Sequence, residues 1–349
     1  MTQGTDWRSL ENSLKTGARF LNHLTSILNG IAELKTRDGR PLVVDAGPGA
    51  DLHTLYRARV FQSEDELEAA LVRPDIHLSS SPAHLVPAGG MTAREISAFY
   101  GANSQKAAIA EVCPPVGSQV VVAQFEIIRK LRLLDLTALR DVRLTESLAD
   151  LGLDGRIEAA GFLRSLSGRI MRLVTRDEQP FEYLATQTVV DFLAAGALAP
   201  IDGIIFPSVQ AAGDVRNVLL FHKAARVEAV NVPEGTEISV SMGRWTENGW
   251  VEDYEVLEKA SPNQREDITN EQGSEWTGVA TIVEALPLDR GNADWRADSL
   301  RIAPETMKVH RVQHVEILTD AFMVKRHRQE KREHALVGLR PRHSFEVDT

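Results

Sequence analysis

The sequence has a single cysteine, Cys113, among its 349 residues. One thiol makes no intrachain disulfide and no cysteine-based zinc site, and the expected role for Cys113 is that of a small buried apolar residue. No stretch approaches the ~20 consecutive apolar residues of a membrane-spanning helix. Met1 to Leu14 is polar and lacks the apolar centre of a signal peptide. A soluble, cytoplasmic protein without a membrane partner is therefore expected. There is no G-x-x-x-x-G-K-[ST] loop, no G-x-S-x-G elbow and no H-E-x-x-H pair, which sets aside P-loop nucleotidases, serine hydrolases of that type and zincins. His310 and His314 are four apart in a segment that reads as strand, a spacing that does not make a helical ligand pair, so no metal site is expected.

Net charge is −10, which disfavours nucleic acid as a partner. The charge is uneven. Lys325, Arg326, Arg328, Lys331, Arg332, Arg340 and Arg342 crowd the C-terminal end against only Glu330 and Glu333. A solvated basic tail accounts for them, with a surface for an acidic partner as the alternative.

The apolar pattern divides the chain into three parts: a helical segment over 1–40, a core over 41–225 and a β-rich extension with the basic tail over 226–349. Leu10, Leu14, Leu21, Leu24, Leu28 and Ile31 recur at helical spacing, giving an amphipathic face that caps the core or pairs with a second copy. Extended segments are expected around Gly47-Pro48-Gly49, then a helix at Ser63–Leu71 and a functional loop from Ser79 to Gly90. A helix over Ala102–Glu111 is entered through Phe99-Tyr100. Strands follow at Ser118–Gln124 and Leu133–Leu136, helices at Leu144–Asp150, Ile157–Leu173 and Phe181–Ala194, and short strands at Gly203–Phe206 and Asn217–Phe221. Beyond 225, Asn248-Gly249 between Trp245 and Trp250 signals a hairpin. Glu252–Glu275 reads as a loop, and Trp276–Ala285 and Met307–Leu318 as strands.

Several fragments stand out together: Tyr56-Arg57-Ala58-Arg59, Phe99-Tyr100-Gly101-Ala102, Ala110-Glu111-Val112, Arg132 to Thr137, Tyr183 to Gln187, Asp202 to Ser208 and Asn217 to Phe221. Their order and spacing resemble the RES family, whose name comes from an arginine, a glutamate and a serine. The resemblance implies an α+β fold like that of ADP-ribosyltransferases. It also implies a toxin that depletes NAD⁺ by phosphorolysis or hydrolysis of the nicotinamide–ribose bond, with an antitoxin or immunity protein as partner. NAD⁺ and phosphate are then substrates, and no cofactor is implied. The family arginine falls on Arg57, its tyrosine on Tyr100, its glutamate on Glu111 and its serine on Ser208, with Asn217 a further NAD⁺ contact. Gly90 stands where relatives often carry an arginine, and Arg94 is the nearby replacement. Cys113 stands where an arginine often follows Glu-Val.

The chemistry suits such a set. Nicotinamide leaves NAD⁺ as a neutral molecule, so no acid is needed to protonate it, unlike an ordinary glycoside, which calls on two carboxylates. Taken singly, Arg57 and Glu111 also read as a strand–helix ion pair, Tyr100 as a packing residue, Ser208 as a turn or cap and Asn217 as a turn residue. Two other functions draw on the same residues: transfer of ADP-ribose to a protein, and an NAD⁺- or protein-binding module weakened by the loss at Gly90.

Overall fold

In the computed structural model the described residues are 30–80, 98–142, 153–172, 180–195, 201–208, 210–211, 213–260, 280–283, 294–317 and 319–326. The chain divides into two units, Met1–His314 and Val315–Thr349. The described residues of the second unit form no helix or strand and are exposed, Phe322, Met323 and Val324 among them.

The first unit is α+β. Its elements run β1 (Val43–Ala46), β2 (Thr54–Phe61), α1 (Glu64–Val72), α2 (Pro74–His77), β3 (Phe99–Ala102), α3 (Gln105–Glu111), β4 (Gln119–Ile127) and β5 (Leu131–Asp135). Then come α4 (Leu153–Arg172), α5 (Pro180–Ala195), β6 (Gly203–Pro207), β7 (Arg216–Leu220), β8 (Glu237–Thr246), β9 (Gly249–Lys259), β10 (Ala280–Val283) and β11 (Leu300–Arg311). A mixed sheet has the order β1-β5-β6-β7-β3-β2-β4-β11, and a smaller antiparallel sheet the order β10-β8-β9. Among the described strands, β5 and β6 are the one pair that runs parallel. The edge strand β11 comes from far beyond residue 225 and pairs with β4.

The sheet is covered on both faces, which explains its unbroken apolar strands. In β4, Val120 and Val122 face a small cluster with Ala107 and Ala108 of α3, while Val121, Ala123 and Phe125 face the opposite core. Phe99 and Phe125 meet there edge to face, ring centroids 4.9 Å apart, a favoured aromatic geometry. Helices α4 and α5 lie on the other side, where Phe162, Leu163, Leu166 and Val190 pack on Leu134, Ile204 and Leu219. Ile31 and Leu34 join this cluster, so the end of the N-terminal amphipathic stretch does cap the core. Gly30 makes that fit possible: a Cβ there would stand 2.7 Å from the Gly155 carbonyl oxygen of α4. The remainder of that stretch lies outside the described residues.

Helix α1 starts where a side chain can cap it. Ser63 accepts from the Glu66 backbone N–H, and Glu64, Asp65 and Glu66 place negative charge in the first turn.

Four expectations are corrected. Phe99–Ala102 is a strand rather than a helix entrance, because its backbone pairs with β7 along its whole length. Strand pairing with β8 continues through Glu252 to Lys259, part of the expected loop; the exposed carboxylates there cost little on a solvated strand. The last strand ends at Arg311, where the pairing with β4 ends. Cys113 is exposed and lies at φ 43° just past the end of α3, so it is not a core residue. The Trp245–Trp250 hairpin is found as expected, with Trp245 opposite Trp250. The helix expected at 144–150 and most of the Ser79–Gly90 loop lie outside the described residues.

Candidate active site

Glu111 is the last residue of α3, and its position follows from small side chains. Ser104 caps the helix by accepting from the Ala107 N–H. Ala107 and Ala108 then pack on Ala58, Ala102, Val120 and Val122, so the helix lies low on β2, β3 and β4. Half-buried Glu111 is thereby set beside the end of β6.

Ser208 follows that strand directly. Its backbone N–H donates to the Val215 carbonyl at 3.0 Å, which starts the β6–β7 loop. Its hydroxyl donates to Glu111 Oε1 at 2.6 Å and accepts from the Gln210 N–H at 3.2 Å. The one hydroxyl hydrogen is therefore directed at the carboxylate, and Ser208 orients Glu111. A short charge-assisted bond of this kind is roughly twice as strong as a neutral one. Asn103 ties the loop to the chain ahead of α3: its Oδ1 accepts from the Arg216 N–H at 3.1 Å, and its Nδ2 donates to the Asp214 carbonyl at 3.4 Å. Sequence reasoning gave Asn103 no role; a polar residue just before the Ser104 cap was the available signal.

Strand pairing sorts the other residues by face. Tyr56 pairs with Ala102, Ala102 with Asn217, and Tyr100 with Leu219. Paired residues point to the same side of a sheet, so Tyr56, Tyr100 and Asn217 share one face with α3 and Glu111. Tyr100 is 37% exposed. Asn217 is buried in mid-strand opposite Ala102 and Phe206, which corrects its reading as a turn residue. Its Oδ1 is enclosed without a hydrogen-bond partner, unusual for a buried amide.

Arg57 belongs to the opposite pleat, with Leu55, Arg59 and Phe61. It nevertheless reaches Tyr100. Strands β2 and β3 share a single residue pair, and in the gap beyond it Arg57 Nη1 donates to the Tyr100 carbonyl at 3.0 Å. The guanidinium lies 4.9 Å from the centroid of the Phe99 ring, and its Nε is enclosed without a partner. Burial, and secondarily the neighbouring Arg59 charge, pull the guanidinium down to about 10, with Tyr100 acting the other way. No Arg57–Glu111 ion pair forms among the described residues. The structure thus joins Ser208 to Glu111 and Arg57 to the Tyr100 backbone, and leaves Asn217 as an unpaired acceptor on the carboxylate's side. Gly90 and Arg94 lie outside the described residues, and of Tyr183 and Gln187 only the backbone, within α5, is described.

Among the described residues no group of three or more His, Cys, Asp or Glu is placed to hold a metal, and no helix is long and apolar enough to cross a membrane.

An α+β sheet protein with a hydroxyl-oriented carboxylate at a strand end and an arginine in an inter-strand gap is what these elements define. The RES domain model matches residues 54–242, a little over half of the chain, and the protein belongs to that family, which is associated with NAD-related toxins. No curated protein and no solved structure matches the chain.

Proposed function

We propose that this protein cleaves the nicotinamide–ribose bond of NAD⁺ and so depletes the dinucleotide as a toxin. The observation that carries this reading is the Ser208–Glu111 hydrogen bond at 2.6 Å, made by the two residues that correspond to the family's serine and glutamate.

As the bond breaks, nicotinamide leaves with the C–N electron pair and positive charge spreads over the ribose C1 and ring oxygen. Glu111 is the group to stabilise that charge, because Ser208 holds it by one oxygen and leaves the other for substrate. That second oxygen accepts a ribose hydroxyl or aligns the incoming nucleophile. An oxygen of phosphate or water then bonds to C1; water gives up a proton, phosphate makes a sugar phosphate. Arg57 suits the diphosphate through its planar fork of donors. Tyr100 offers an exposed ring to nicotinamide or ribose. Asn217 supplies an acceptor for a substrate N–H or hydroxyl. NAD⁺ is substrate here, and no cofactor takes part in these steps. A cytoplasmic setting, where NAD⁺ is abundant, and an antitoxin or immunity protein that restrains the enzyme both fit this reading.

The test is NAD⁺ consumption by the purified protein with and without phosphate, beside Glu111→Gln. Loss of NAD⁺ that stops in the variant is expected. NAD⁺ left intact in every tube overturns the reading, and labelled ADP-ribose appearing on a protein would move it to a transferase.

A further inference from the structure

Two arginines alternate on β2, and the mechanism above uses only the first. Arg57 and Arg59 pair with Ala123 and Val121 of β4 and so point to one face, about 7 Å apart along the strand. Each rests on an aromatic ring: Arg57 on Phe99 at 4.9 Å and Arg59 on Phe61 at 5.5 Å. Each spends one donor on a backbone carbonyl, Arg57 on Tyr100 at 3.0 Å and Arg59 on His77 at 2.6 Å. A guanidinium has five donors. Among the described residues neither group is paired with a carboxylate, and Arg57 Nε is enclosed with no acceptor. Two like charges on an apolar face without counter-charge are costly, the more so where one is desolvated. The mutual repulsion is felt at Arg57, and His77 too is held low by burial and by Arg59. An anion carrying two negative charges supplies the missing counter-charge to both guanidinium groups.

We propose that Arg59 is the second cation of the anion site, so that Arg57 and Arg59 together hold the diphosphate of a dinucleotide. This rests on the reading of NAD⁺ as substrate and names the group that recognises its charged centre. Arg57 grips the phosphate next to the β2–β3 gap. Arg59, exposed and tethered to the end of α2, takes the neighbouring phosphate with its free donors.

The test is calorimetric titration of the full-length protein with ADP, which has a diphosphate, and with adenosine, which has none. The variants are Arg59→Gln and Arg59→Lys. ADP affinity should fall about 10- to 100-fold in Arg59→Gln, the scale of lost charge-assisted hydrogen bonds, and less in Arg59→Lys. Adenosine binding should not change in either. A thermal melt by circular dichroism establishes that each variant is folded; an Arg59 that merely caps α2 would lower the midpoint and leave ADP affinity unchanged. Unaltered ADP affinity in Arg59→Gln, or wild-type protein that does not bind ADP, overturns the proposal. The two readings fail separately. NAD⁺ consumption with ADP affinity indifferent to Arg59 removes only the arginine pair. ADP affinity dependent on Arg59 with NAD⁺ left intact keeps the pair and removes the cleavage.

Discussion

The Ser208 hydroxyl donates to Glu111 Oε1 at 2.6 Å across 97 residues of chain. The bond joins the last residue of a helix to the residue that follows a strand. Glu111→Gln keeps the shape and removes the charge, and should abolish NAD⁺ turnover. Ser208→Ala keeps the charge and frees its orientation, and should lower kcat by about 10- to 100-fold, since an orienting hydrogen bond to a charged group contributes about 1.5–3 kcal/mol. Steady-state kinetics of the two variants separate these roles; equal losses would mean that Ser208 does more than orient.

Asn217 gives a prediction in which stability and activity part company. Its buried Oδ1 has no partner, and such an acceptor costs about 1–3 kcal/mol of desolvation. Asn217→Ala should therefore unfold at the same or a higher urea concentration than wild type while NAD⁺ turnover falls. A variant that loses stability and keeps its activity would make Asn217 a structural residue.

Asp75 anchors the chain that leads into the smaller sheet. It is 1% exposed, accepts from Arg73 Nε and Nη2 on its two carboxylate oxygens at 3.0 and 2.7 Å, and accepts from the Val230 N–H at 3.1 Å. Asp75→Ala leaves a buried arginine uncompensated and should cost about 3–5 kcal/mol. The double variant Arg73→Met with Asp75→Ala should recover part of that loss, as read from urea unfolding.

Acid should weaken the entry to β11 at one identifiable carboxylate. Arg296 grips Asp294 at 2.8 and 2.7 Å, and this bond, with the Arg296 backbone N–H and charge against a smaller opposing burial effect, holds the carboxyl at about 2, below its ordinary 3.8. A carboxyl depressed on folding stabilises fully above its ordinary value and loses that contribution as pH falls from about 4 through about 2. The same loop donates from Arg296 to the His222 carbonyl at 3.0 Å. Between pH 5 and pH 2, wild type should therefore lose more urea resistance than Asp294→Asn. Equal losses would show that the pair is screened away in solution.

Much of the fold was legible from local pattern. The run Val120-Val121-Val122-Ala123 reads as a strand from the sequence alone, its burial on both faces coming with the fold, and the Trp245–Trp250 hairpin is signalled by Asn248-Gly249. The misreadings have one cause. Phe99–Ala102 is four residues long and precedes a real helix, so nothing local tells a strand from a first turn; pairing with β7 decides it. Cys113 looked like a core residue because composition carries no information about a backbone at φ 43°.

By itself the sequence determined the family and the α+β class and named the candidate site residues, because ordered motifs and periodic apolar positions are properties of the chain alone. Tertiary structure decided how those residues meet. Alternation along a strand assigns Arg57 to one face and Tyr56 to the other, but only the single Tyr56–Ala102 pairing opens the gap that lets Arg57 reach Tyr100. The Ser208–Glu111 bond and the unpaired Asn217 oxygen are likewise products of long-range pairing. Register is set by which strands pair across long stretches of sequence, and no local propensity encodes it.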